Sequence, residues 1–104
     1  MLEKDIESKG CKYAKEHDVE PYKFTSPNRA AVPDRLFLKK VPAFLRPVIA
    51  RYVCFVEVKR EGQKPTKPQE REHQRLTEMG YRVYVADSVE KMKEIVNGMG
   101  GHGD

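Results

Sequence analysis

Glu57 interrupts an apolar run, Tyr52-Val53-Cys54-Phe55-Val56-Glu57-Val58-Lys59, whose β-branched and aromatic residues predict a strand. Side chains alternate along a strand, so Glu57 and Lys59 share one face. A charge on a buried strand is costly unless it pairs or holds a metal. An upstream acid supplies a reason for it, in Val32-Pro33-Asp34-Arg35. Two carboxylates hold a hard divalent cation, and a neighbouring lysine answers negative charge. The set Asp34, Glu57 and Lys59 therefore constrains both the fold and the chemistry.

The elements around the run follow from periodicity and punctuation. Residues 2–17 predict a helix in which Glu3, Glu7, Gly10 and Ala14 share a stripe, with Leu2, Ile6 and Tyr13 close by. Gly10 weakens it by about 1 kcal/mol relative to alanine. A short strand over 21–25, a turn at Ser26-Pro27-Asn28 and a strand over 34–38 come next. Pro42 and Pro47 bar 39–51 from a central strand and leave a short helix near Pro47 or an ordered loop. Residues 52–59 are expected as the most buried strand, followed by a basic loop over 60–67. Thr66-Lys67-Pro68-Gln69 matches a capping box and opens a helix that ends near Gly80. After a strand over 81–86, Asp87 with Glu90 opens a last helix with an apolar stripe of Val89, Met92, Ile95 and Val96. Asn97-Gly98 stops it, and 98–104 is expected as a flexible tail.

A chain of 104 residues has room for one modest core, so 1–97 is expected as a single domain. The order α-β-β-β-α-β-α, with a short insert, predicts an α/β fold: a mixed β-sheet flanked by helices. Hydrophobic residues make up 38%, enough to fold despite 35% charged residues, which excludes wholesale disorder. The net charge of +4 lends only weak support to a polyanionic partner. Two cysteines make no disulfide framework, and Cys54 in the apolar run reads as a small core residue of a reducing compartment. No stretch approaches a membrane span or a signal-peptide core, so the expectation is a soluble, intracellular protein without membrane contact.

Pro33-Asp34, Glu57-Val58-Lys59 and Gln69, ten residues after the lysine at a helix start, together resemble the VRR-NUC (virus-type replication-repair nuclease) branch of the PD-(D/E)XK nuclease superfamily. Flanking residues agree: Lys23-Phe24, Asp34-Arg35-Leu36, Phe55-Val56, Gly80-Tyr81-Arg82-Val83 and Ala86-Asp87-Ser88. The resemblance covers roughly 3–96. It implies a restriction-endonuclease-like fold and DNA cleavage with Mg²⁺ or Mn²⁺. Asp34 and Glu57 are then metal ligands, joined by the backbone carbonyl of Val58. Lys59 orients or activates water and stabilises charge on the phosphate. Glu3 matches a helix glutamate that holds or tunes the metal site, and Gln69 a helix glutamine that positions Lys59 or a phosphate oxygen. Ala31 departs from the pattern by standing where the family usually has glycine; a positive φ there strains alanine. The insert over 39–51 also lengthens the gap between Asp34 and Glu57.

Each residue has a plainer alternative. Asp34 caps a strand start, and Glu57 with Lys59 forms an edge ion pair. Gln69 serves the cap, the site or both. Glu3 and Glu7 lie on one stripe, and the choice between them stays open. His73, one turn after Gln69, reads more as a helix-surface residue than a ligand, while His17 and His102 show no partner. Arg35, Arg60, Lys64, Lys67 and Lys23 are the candidate DNA contacts. Phe44, Leu45, Val48, Ile49 and Tyr52 exceed what a short loop needs and are read as extra core or a subunit interface, the interface being preferred. The expected protein is a homodimeric, metal-dependent, structure-selective endonuclease of phage origin acting on branched DNA such as Holliday junctions. The alternatives are a less selective nickase or flap-type nuclease, a non-catalytic DNA-binding module, and an adaptor.

Overall fold

The computed structural model of the chain describes residues 1–25 and 29–100. The turn expected at Ser26-Pro27-Asn28 lies outside the described residues, as does 101–104 with His102. The fold is α/β. Four helices and four strands follow the expected order, and the insert supplies one of the helices. The chain divides into two compact units, Met1–Lys40 and Val41–Asp104.

In the first unit, helix α1 (Glu3–Glu16) carries Glu3 and Asp5 in its first turn and Lys15 in its last, charges that complement its dipole. It stops where Asp18 takes φ 60°, a left-handed conformation that aspartate tolerates better than most residues. Strand β1 (Val19–Lys23) pairs antiparallel with β2 (Arg35–Lys39), from Val19↔Lys39 to Lys23↔Arg35. β1 starts two residues earlier than expected, so Pro21 falls mid-strand. In a two-stranded sheet every strand has an open edge, where a missing N–H costs no ladder bond. Ala14 from α1, Pro21 from β1 and Leu38 from β2 are buried in this unit.

In the second unit a 3₁₀ turn (Ala43–Leu45) runs into α2 (Arg46–Tyr52), with Pro47 in its first turn. Strand β3 (Cys54–Val58) pairs in parallel with β4 (Arg82–Ala86), from Cys54↔Arg82 to Val58↔Ala86. A parallel pair needs a crossover, and α3 (Lys67–Glu78) provides it. Helix α4 (Val89–Asn97) follows β4. Val41, Leu76, Ala86 and Ile95 form the core. The mixed pairing expected of the sheet is thus divided, antiparallel in one sheet and parallel in the other.

The two faces of β3 meet different partners. Cys54 Sγ lies 3.8 Å from Met99 Sδ, just beyond α4. Phe55 meets the Tyr81 ring edge-on, just beyond α3. β3 is shorter than expected and half-buried rather than the most buried element, because a single neighbouring strand covers one edge only; Val58 is exposed.

Two further expectations are corrected. The cap of α4 is Ser88, whose Oγ accepts from Lys91 N at 3.1 Å, and not Asp87. Asp87 Oδ2 instead accepts from Gly62 N at 3.1 Å, pinning the basic loop to the end of β4. Residues 98–100 are also tied down: Gly100 N donates to Arg51 O at 2.6 Å, and Arg51 Nε donates back to Gly100 O.

Candidate active site

Asp34 occupies a bend immediately before β2 and is exposed. Its carbonyl accepts from Phe24 N at 2.8 Å, which continues the β1–β2 ladder and fixes the backbone of Asp34. Three residues earlier, Ala31 has φ 63°. Alanine is therefore held in the left-handed region at the position where the resembled family usually has glycine, at a cost of about 1–2 kcal/mol.

A cavity of about 330 Å³ opens beside Asp34, lined by Glu3, Lys4, Ile6, Glu7, Asp34 and Arg35. Glu7 Oε2 accepts from Arg35 Nε at 2.7 Å, and Arg35 Nη1 donates to Pro21 O at 3.0 Å. The hydrogen bond and charge of Arg35 hold the Glu7 carboxyl below the usual carboxylate range; partial burial opposes this, and Lys23 adds to it. The same hydrogen bond holds Arg35 even more firmly protonated. These bonds separate the two glutamates of the α1 stripe. Glu7 is engaged with Arg35, whereas Glu3 is exposed and lines the cavity with Asp34. Arg35 commits Nε and Nη1 to bonds within the fold. Lys23 is exposed at the end of β1.

In the second unit Glu57 sits opposite Val85 in the β3–β4 ladder. His73 Nε2 of α3 lies 3.1 Å from Glu57 Oε1, and both side chains are less than a third exposed. An ionised carboxylate can only accept, so in the tautomer that carries its proton on Nε2 the imidazole is the donor of this bond. Lys59 follows β3 directly and donates its N–H to Ala86 O at 2.9 Å. The ladder thus runs one residue past Val58, and strand alternation keeps Lys59 on the face of Glu57.

The capping box expected at α3 is present in both directions. Thr66 Oγ1 accepts from Gln69 N at 3.3 Å, and Gln69 Oε1 accepts from Thr66 N at 3.0 Å. The Nε2 end of Gln69 makes no hydrogen bond among the described residues. Arg60, Lys64 and Lys67 are exposed in and after the loop, whose tip Gly62 takes φ 80°. Lys67 also sits 3.7 Å from Glu70, an exposed ion pair of little energetic weight.

The structure thus brings Glu3 together with Asp34, and Glu57 together with His73. Asp34 and Glu57 belong to different units. The carboxylate oxygens available suit a hard cation such as Mg²⁺ or Mn²⁺. Among the described residues, no three His, Cys, Asp or Glu side chains gather as a metal-holding group. The His73–Glu57 bond corrects the reading of His73 as a helix-surface residue. Its signal lay in spacing: His73 follows Gln69 by four residues and therefore shares its helix face.

No protein-family model matches the chain, and no solved structure matches it. The chain is 45% identical over 67 residues to a protein of Acyrthosiphon pisum secondary endosymbiont phage 1 named "Putative nuclease p44". The matched region is 64% of this chain and 62% of that protein, so the chain spans about three-fifths of the relative's length.

Proposed function

We propose that the chain is a divalent-metal-dependent endonuclease of the VRR-NUC type, acting on branched DNA such as Holliday junctions. The observation that carries the nuclease assignment is the 45% identity to the phage protein bearing that name. The spacing of Asp34, Glu57, Lys59 and Gln69 supports the chemistry.

In this proposal Asp34 and Glu57, with the Val58 carbonyl, hold Mg²⁺ or Mn²⁺, and Glu3 tunes the site from α1. The chemistry that a cation held there would supply is activation of water and relief of charge on the phosphate. Lys59 donates to a non-bridging phosphate oxygen and orients the attacking water. The water oxygen bonds to phosphorus, the bond to the leaving nucleotide oxygen breaks, one proton of the water goes to solvent, and the leaving oxygen takes up a proton from solvent. Gln69 donates its uncommitted amide N–H to a phosphate oxygen, while Lys23, Arg60, Lys64 and Lys67 track the backbone phosphates. Two copies, joined through the apolar insert around Phe44, Leu45, Val48 and Ile49, present two such sites to the related strands of a junction.

The test is cleavage of labelled four-way junction, flap, duplex and single-stranded DNA with Mg²⁺, Mn²⁺ or EDTA. Expected are cleavage with metal only, preference for the junction, and inactivity of folded Asp34→Ala, Glu57→Ala and Lys59→Ala. Full activity in EDTA, or in Lys59→Ala, removes the mechanism. Equal cutting of every substrate favours a less selective nickase, and tight binding without cutting a non-catalytic DNA-binding module.

A further inference from the structure

We infer that His73 is a positioning residue for Glu57, fixing its carboxylate so that Oε2 is the oxygen presented to a divalent cation. This rests on the proposed metal-dependent chemistry and extends it to a residue outside the motif that carries the resemblance. Four observations support it. His73 Nε2 and Glu57 Oε1 are 3.1 Å apart, and both side chains are largely shielded from solvent. Oε2 of Glu57 accepts no hydrogen bond among the described residues, so one oxygen is committed and the other is not. The helix that carries the imidazole is itself held: α3 begins at a two-way capping box, and the Thr77 hydroxyl donates to the His73 backbone carbonyl at 2.8 Å. Glu57 is backed by the β3–β4 ladder, which fixes the face from which it projects.

A glutamate on a strand retains three side-chain torsions, and a carboxylate free to rotate offers either oxygen, or both at once. One N–H bond from a rigid ring removes most of that freedom before any cation arrives. Hydrogen bonds to the ligating carboxylates of metal sites orient them in this way, and their removal commonly weakens metal binding 10- to 100-fold. Gln69 and His73 lie one helical turn apart, so a single helix face carries both supporting groups, the first assigned to a phosphate oxygen and the second to Glu57.

The experiment measures Mn²⁺ binding to the full chain without DNA, by electron paramagnetic resonance, for wild type, Glu57→Gln, His73→Ala and His73→Gln. Thermal melting of each is followed in EDTA. Wild type is expected to bind Mn²⁺ and Glu57→Gln to lose binding. His73→Ala should weaken binding by ~10- to 100-fold. His73→Gln, whose amide nitrogen can take the place of Nε2, should recover most of it at a melting temperature no higher than that of His73→Ala. Recovery of affinity without recovery of stability separates positioning from a packing role. Wild-type affinity in His73→Ala overturns the inference while leaving the metal site intact. A wild type that binds no Mn²⁺, with the His73–Glu57 bond still evident from the imidazole nitrogen resonances, overturns the metal-dependent reading and this inference with it.

Discussion

Arg35 Nε donates to Glu7 Oε2 at 2.7 Å, and so ties α1 to the first residue of β2, directly after Asp34. The pair gives the first unit an acid-sensitive fastening. Because the bond lowers the Glu7 pKa in the folded state, its contribution is fully present above the unfolded glutamate value of about 4.3. It is lost as pH falls through the lowered folded value. Melting temperature followed from neutral to strongly acid pH should therefore show a shallower acid decline in Glu7→Gln than in wild type. Parallel curves for the two proteins would remove the pair from the acid response.

Ala31 at φ 63° is strained, and glycine relieves it. Relief of about 1–2 kcal/mol, less the extra unfolded-state entropy of glycine of about 0.5–1 kcal/mol, leaves a net gain near 1 kcal/mol for Ala31→Gly. In a domain of this size that is a rise of roughly 4–8 °C in Tm per kcal/mol. A lower Tm would mean that the strain is absent in solution.

Gln69 has two separable jobs in the proposed mechanism. Thr66→Ala removes the hydroxyl side of the cap and should cost about 0.5–2 kcal/mol with cleavage little altered at temperatures where the protein stays folded. Gln69→Glu keeps an acceptor for Thr66 N–H but has no amide donor, so it should melt near wild type yet cleave poorly. Equal cleavage by Gln69→Glu and wild type would reduce Gln69 to a cap.

Phe44 is 79% exposed, and Leu45 and Val48 are exposed beside it on the insert. An apolar surface of this kind is what the proposed two-fold dimer would cover. Light scattering should give twice the chain mass for wild type and one chain mass for Phe44→Asp or Ile49→Asp, with weaker junction cleavage in the monomers. A monomeric wild type would refute the dimer.

How much of this was open to inspection in the chain varies with the distance over which each feature is encoded. The α3 cap is legible in Thr66-Lys67-Pro68-Gln69 because both of its bonds close within four residues. Helix α1 is legible from its stripe, and the short helix at Pro47 from the one place where proline starts a helix well. The cap of α4 falls one residue later than Asp87, because Asp87 is drawn to Gly62 across the end of the sheet. No local pattern encodes that contact. For the same reason the sequence left Glu3 and Glu7 equivalent, and only the approach of Arg35 distinguishes them. His73 stood in plain view one turn after Gln69, but its partner lies on another element, and a histidine on a helix is most often a surface residue.

Gly80 has φ 100°, and a methyl group added there would come within 2.8 Å of Arg46 Nε and 3.0 Å of Val41 Cβ. Arg46 in turn donates to Val41 O at 3.0 Å and Glu78 O at 3.4 Å. Gly80→Ala should consequently lower Tm more than a left-handed alanine alone explains, since Arg46 must leave the end of α3. A melting change no larger than about 1–2 kcal/mol would assign the whole effect to backbone conformation.

The parallel alignment of β3 with β4 has a consequence for how the proposed activity arises during folding. Glu57 meets His73 only when Glu57 lies opposite Val85. A slide of β3 by one residue turns the carboxylate to the side of Cys54 and brings a valine to the imidazole. The two strands are joined through the whole of α3, so their meeting must wait for a long loop to close. Recovery of cleavage during refolding should therefore lag the recovery of helical signal, and the nuclease assay becomes a clock for strand alignment.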